Sequence, residues 1–152
     1  MIIISSGYFD PIHIGHLEHL SLARKLGDKL IVILNNDKQA VLKKGKFFMP
    51  ENERKKILES LKSVDEVFTS IDEDRTVCKS IEYLAKKYHD ENIVFVKGGD
   101  RTIKEIPEKG MCEKYKIKII DGIGTSYLNV HSSVLTGIRE IKQSSNLIKN
   151  GS

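Results

Sequence analysis

The sequence predicts a single α/β domain, with a parallel five-stranded sheet covered by helices on both faces. Three observations lead there. Short continuous apolar runs alternate with amphipathic stretches in the order β-α-β-α-β-α-β-α-β-α. The runs lack the in-out alternation of half-exposed strands, as expected of strands buried on both faces. The 152 residues suffice for one compact core and are too few for two ordinary domains.

The elements follow in order. Ile2 to Ile4 form a short buried strand, stopped by Ser5-Ser6-Gly7. From His16 to Leu26, the residues Leu17, Leu20, Leu22, Ala23 and Leu26 give a helix that Gly27-Asp28 ends. Leu30 to Leu34 is the second strand, stopped by Asn35-Asn36-Asp37. Pro50 suits a helix's first turn, and Glu51 and Glu53 suit its positive end. Ile57, Leu58 and Leu61 are expected on one face of that helix. Glu66 to Ile71 is strand-like, and Val77, Ile81, Leu84, Ala85 and Tyr88 mark another helix. Ile93 to Val96 is a strand running into Lys97-Gly98-Gly99-Asp100. A short helix over Pro107 to Tyr115 and a strand over Ile117 to Ile120 complete the sheet. Ser132 or Ser133 caps a last helix holding Val134, Leu135, Ile138 and Ile141. The domain is expected over residues 1–143, with 144–152 a loose tail.

Composition removes several classes of function. Apolar residues make up 39% and charged residues 30%, a soluble globular balance. No apolar run reaches the ~18 residues of a membrane span. The start, MIIISSGYFDP, lacks the features of an export signal, so the expected compartment is the cytoplasm. Twenty-five basic residues against 21 acidic ones give a net charge of +4. One cluster stands out, Lys43-Lys44-Gly45-Lys46. A nucleic-acid binder would show a broader basic stripe with interleaved aromatics, and a small anion explains one cluster as well. Cys78 and Cys112 form no CxxC and read as small hydrophobes.

The densest signal is Gly7-Tyr8-Phe9-Asp10-Pro11-Ile12-His13-Ile14-Gly15-His16, between the first strand and the first helix. Gly7 permits a sharp turn beside a ligand, and Gly15 leaves room at the helix start. Backbone N–H groups at that start favour anions. His13 and His16, three apart, can point to one side and donate to phosphate. Adding His19 gives His-x-x-His-x-x-His, but the third position rotates away and no HExxH order is present, which argues against zinc. The first turn also lacks GxGxxG, which argues against a redox dinucleotide site.

GYFDPIHIGH resembles the HxGH signature of the nucleotidyltransferases of the cytidylyltransferase-like superfamily. The likeness extends along most of the chain. LGDKLIVILNND, KKGK and MPENERKKILESLKSVDEVF are similar to segments of glycerol-3-phosphate cytidylyltransferases. KGGDRTIKEIPE resembles the KGGD segment of heptose-phosphate adenylyltransferases. The resemblance implies a Rossmann-like three-layer domain and the transfer of a nucleoside monophosphate onto a small phosphorylated polyol or sugar, releasing pyrophosphate. CMP from CTP is favoured. ATP-dependent transfer to a heptose phosphate is the alternative, and a non-catalytic nucleotide-binding regulatory module is a second one. Magnesium accompanying the triphosphate and a homodimer are also implied, with no nucleic acid or membrane partner.

Residue by residue, the resemblance assigns charge stabilisation to His13 and His16, with Lys44 and Lys46 reaching phosphate and Lys43 as substitute or acceptor ligand. Gly7, Tyr8, Phe9, Asp10 and Gly15 fall on the nucleotide side. Asp10 orients a histidine, helps hold magnesium, or simply forms the turn before Pro11. Arg54 and Asp65 match acceptor-side positions, although Lys62 stands where those enzymes have a second arginine. Gly98, Gly99 and Asp100 are expected to approach the nucleoside. Ser132 and Ser133, with Thr125 and Ser126 nearby, are expected at the distal phosphates, and His131 is either a phosphate donor or a surface residue. His19 and His89 receive no role.

Overall fold

A computed structural model of the chain describes residues 1–97 and 106–121. The expected last helix and tail, with Thr125, Ser126, His131, Ser132 and Ser133, lie outside these residues, as do Gly98, Gly99 and Asp100. The elements in chain order are β1 (Ile2–Gly7), α1 (Ile14–Arg24), β2 (Lys29–Leu34), α2 (Asp37–Lys44), α3 (Glu51–Glu59), β3 (Glu66–Thr69), α4 (Cys78–Lys87), β4 (Ile93–Lys97), α5 (Lys109–Lys114) and β5 (Lys118–Asp121). The sheet has five strands in the order β3-β2-β1-β4-β5. All pairings are parallel. The predicted α/β architecture is the one observed.

Strand alternation splits the core into two layers. Ile3, Leu30, Val32, Leu34, Val94 and Val96 pack on one face with Leu20 and Ala23 of α1 and Leu58 of α3. Ile2, Ile4, Ile31, Ile33, Ile93 and Phe95 pack on the other with Ile81, Leu84 and Ala85 of α4 and with Cys112 of α5. Each fully buried aliphatic side chain contributes ~1.5–3 kcal/mol. Burial also pushes the Cys112 thiol up to about 12, so it behaves as a core hydrophobe. No helix among the described residues is long and apolar enough to cross a membrane.

One helix differs from the sequence reading. The sequence places no helix between the second strand and Pro50, yet Lys43 and Lys44 form the last turn of α2. Local hydrogen bonds build this helix. The Asn36 side chain accepts from Gln39 N at 2.9 Å, and Gln39 Oε1 accepts from Asn36 N at 3.0 Å. Gly45 ends it in the left-handed region at φ 83°. The starts of α2 and α3 then cap each other. Glu51 N donates to Asp37 Oδ1 at 2.9 Å, and Asp37 N donates to Glu51 Oε1 at 2.8 Å.

The chain runs outward from β1 through β2 to β3, then returns across β1 to β4 by way of α4. The strand order therefore reverses between β1 and β4. In open parallel sheets the crevice at the C-terminal ends of such a pair is where ligands bind.

Candidate functional site

The loop leaving β1 is shaped by close packing. Phe9 sits in the left-handed region at φ 51°, and its ring is buried. A Cβ on Gly7 would come within 2.9 Å of Phe9 Cε2, so the turn requires glycine there. The Phe9 ring meets His16 edge-on, with centroids 4.9 Å apart. The Asp10–Pro11 peptide is cis.

His13 is the N-cap of α1, which starts at Ile14, two residues before the His16 start read from the sequence. Its Nδ1 accepts from Gly15 N at 3.1 Å. His16 reaches back, and its Nδ1 accepts from His13 N at 3.1 Å. The rings stack with centroids 3.9 Å apart. An imidazole whose Nδ1 accepts a backbone N–H carries its proton on Nε2 when neutral. The helix cap thus fixes both tautomers and leaves two Nε2–H donors beside the N-terminus of α1. Burial first, then the neighbouring His13 and His19 rings, pushes the His16 pKa down to about 4. At neutral pH His16 is an uncharged hydrogen-bond donor.

His19, given no role from the sequence, is buried on the inner face of α1. Its Nε2 lies 2.6 Å from Ser5 Oγ on β1, tying the helix to the central strand. The helical spacing of His19 with Leu20 and Ala23 carried that signal.

Asp10 locks the site's second loop. Its Oδ2 accepts from Phe48 N at 2.7 Å and its Oδ1 from Met49 N at 2.6 Å. Lys44 Nζ approaches Oδ2 at 3.6 Å and donates to the Asp10 carbonyl at 3.1 Å. Burial raises the Asp10 pKa, but the two backbone N–H donors, with the charges of Lys44 and Arg54, outweigh it and hold the carboxyl below its usual 3.8. Both carboxylate oxygens are engaged and the side chain is wholly buried, so Asp10 does not fit a magnesium ligand. Among the described residues no group of three or more His, Cys, Asp or Glu could hold a metal ion.

Arg54 departs from its expected acceptor-facing position. It is 0% exposed. Nε donates to Met49 O, Nη1 to Tyr8 O and to Asn35 O, each at 2.8 Å, and Nη2 to Asp37 Oδ1 at 2.7 Å. The guanidinium joins the loops after β1 and β2 to the segment before α3, with no fork left for an acceptor phosphate. Asp65 departs too. It lies at the N-terminal end of β3, remote from the crevice, where it accepts from Leu30 N at 2.8 Å and pairs with Arg24 at 2.9 Å.

Two of the α2 lysines reach the rim. Lys43 Nζ lies 4.5 Å from the Tyr8 ring centroid, Lys44 rests on Asp10, and Lys46 is exposed beyond Gly45. Lys97, which the sequence reading passed over, ends β4 with Nζ 3.3 Å from Ser6 Oγ. The crevice therefore offers imidazole N–H donors, a helix N-terminus and several ammonium groups, an arrangement suited to a phosphorylated ligand.

Comparison with known proteins agrees. A bifunctional protein HldE from Syntrophotalea carbinolica is 34% identical over 139 residues, covering 88% of this chain and 27% of the relative. The chain thus spans about a quarter of that protein's length. Glycerol-3-phosphate cytidylyltransferase from Bacillus subtilis is 34% identical over 125 residues, covering 82% of this chain and 91% of the relative. A solved structure of a lipopolysaccharide core biosynthesis protein from Thermoplasma volcanium shares the fold, with a TM-score of 0.63 at 22% identity over 80% of this chain and 94% of that one. The Cytidylyltransferase-like family profile matches residues 4–150, nearly the whole sequence, and the chain belongs to that family of nucleotidyltransferases.

Proposed function

We propose that this chain transfers a nucleoside monophosphate, CMP from CTP, onto a small phosphorylated polyol or sugar and releases pyrophosphate. The observation that carries the reading is the pair of imidazoles whose Nδ1 atoms accept backbone N–H groups, leaving both Nε2–H groups as donors at the N-terminus of α1. The acceptor's phosphate oxygen attacks the α-phosphorus, the new P–O bond forms, and the bond from the α-phosphorus to the bridging oxygen of pyrophosphate breaks. The nucleophile is already an anion, so no strong general base is required. Charge grows on the α- and β-phosphate oxygens, and preorganised donors lower the barrier there.

In this reading His13 and His16 donate to those oxygens. Lys44 exchanges its contact with Asp10 for phosphate, and Lys43 and Lys46 attract the two anionic substrates from the α2 side. Magnesium would arrive with the triphosphate and offset its charge, with Asp10 held by Phe48 N and Met49 N rather than free to ligate it. The cytidylyl preference is supported by the glycerol-3-phosphate cytidylyltransferase relative, which this chain matches over almost its full length. A second reading, adenylyl transfer from ATP to a heptose phosphate, is favoured by the KGGD segment that begins at Lys97.

Pyrophosphate release from CTP, ATP, UTP and GTP, each with phosphorylated C3 to C7 acceptors, tests the proposal. Release that depends on one nucleotide and one acceptor class is expected. Nucleotide binding without release for any acceptor would overturn it in favour of a regulatory binding module.

A further inference from the structure

We infer that Lys97, together with the Ser6 hydroxyl, binds the phosphate groups of the donor nucleotide from the side of the crevice opposite the histidine pair. The inference rests on the triphosphate-binding reading above and adds a residue to it.

Position is the first argument. Lys97 is the last residue of β4, and β4 and β1 are the pair between which the strand order reverses. The register Ser5↔Val96 brings Ser6 beside Lys97, and Nζ lies 3.3 Å from Ser6 Oγ. Both residues therefore stand at the C-terminal strand ends where the crevice opens.

The side of the sheet is the second. Val94 and Val96 face the layer of α1 and α3, while Ile93 and Phe95 face the layer of α4 and α5. Strand alternation puts Lys97 on the α4 side, and its Nζ lies 5.8 Å from the Phe95 ring centroid. The imidazoles rise on the α1 side of β1. An anion lying across the strand ends is then bracketed by imidazole N–H groups on one flank and an ammonium on the other. Asp121 stands opposite Lys97 in the β4–β5 register.

Charge balance is the third. A neutral His16 donates hydrogen bonds without compensating charge, and Lys43 and Lys44 of α2 lie against Tyr8 and Asp10 of the β1–α1 loop. A half-buried ammonium at the switch point compensates charge where low surrounding polarity makes each unit count most.

Calorimetric titration of the full chain with inorganic tripolyphosphate and magnesium tests this without reference to the acceptor or the base. Lys97→Met should weaken binding about tenfold or more, the loss expected for one charge-assisted contact. Lys97→Arg should keep binding within about threefold of wild type. Lys86→Met makes the same charge change in a groove at the opposite end of the sheet and should alter binding by less than about twofold. Thermal melts establish that each variant is folded. Binding by Lys97→Met equal to that by Lys86→Met would overturn the inference. Loss of CTP or ATP affinity with tripolyphosphate unaffected would overturn it too, assigning Lys97 to the nucleoside. A wild-type chain that binds tripolyphosphate but turns over no acceptor would refute the proposed function and leave the Lys97 comparison decisive on its own.

Discussion

Replacing His16 by Asn separates the two tasks of its imidazole. An Asn Oδ1 stands near the place of Nδ1 and keeps accepting from His13 N, a 3.1 Å bond in the native chain. The Nε2–H donor disappears. Gln does the reverse, putting an amide near Nε2 and removing the acceptor near Nδ1. Loss of a preorganised donor costs about 100- to 1,000-fold in rate, or ~2.7–4 kcal/mol of barrier. Loss of the capping bond costs ~1 kcal/mol of stability. Both variants lose the edge contact with Phe9, worth ~0.5–1.5 kcal/mol. His16→Asn should therefore lose at least about 100-fold in pyrophosphate release while melting only slightly below wild type. His16→Gln should melt a further ~2–4 °C lower and retain more of the rate. The assay is turnover with the best substrate pair, set beside thermal melts. If His16→Asn turns over within about threefold of wild type, the donor role is refuted. If the two variants lose rate equally and Asn melts lower, the cap assignment fails.

Arg54→Met strands the carbonyls of Met49, Tyr8 and Asn35 and should cost about 3–5 kcal/mol in urea unfolding, whereas an acceptor ligand would raise KM with stability intact. Asp10→Asn replaces one acceptor with a donor facing a backbone N–H and should cost about 1–3 kcal/mol with the magnesium dependence of turnover unchanged. A raised magnesium requirement in that variant would restore Asp10 as a metal ligand. The His16 pKa of about 4 lies below its ordinary 6.5, so the unfolded chain binds more protons between these values and stability falls as pH drops through that window. Solvent screening of a half-exposed ring holds this coupling to ~1–2 kcal/mol. Urea midpoints at pH 6.5 and 4.5 should show this loss, and His16→Asn should flatten it.

The alternation of elements was legible because strands covered on both faces are nearly continuous apolar runs, as in Leu30 to Leu34, all 0% exposed. The histidine pair was legible because its spacing and its strand-to-helix setting agree. Helix α2 was not, because only Gln39 and Ala40 of it are buried and its stability comes from caps rather than an apolar stripe. The burial of Arg54 was equally hidden. Its partners are mostly backbone carbonyls contributed by segments far apart in the chain, and a carbonyl leaves no mark on residue type. Asp65 matched an acidic position by resemblance, yet a match says nothing of which end of a strand a residue occupies. Lys97 gained its significance only from the strand order, which places β4 beside β1.

The most direct measurement is nitrogen-15 NMR of the histidine rings as nucleoside triphosphate is added. The account predicts that His13 and His16 carry their protons on Nε2 in the free chain. On binding, the Nε2–H resonances of both should shift while Nδ1 stays unprotonated. Protons on Nδ1 in the free chain, or saturated nucleotide binding that leaves both Nε2–H resonances in place, would contradict it.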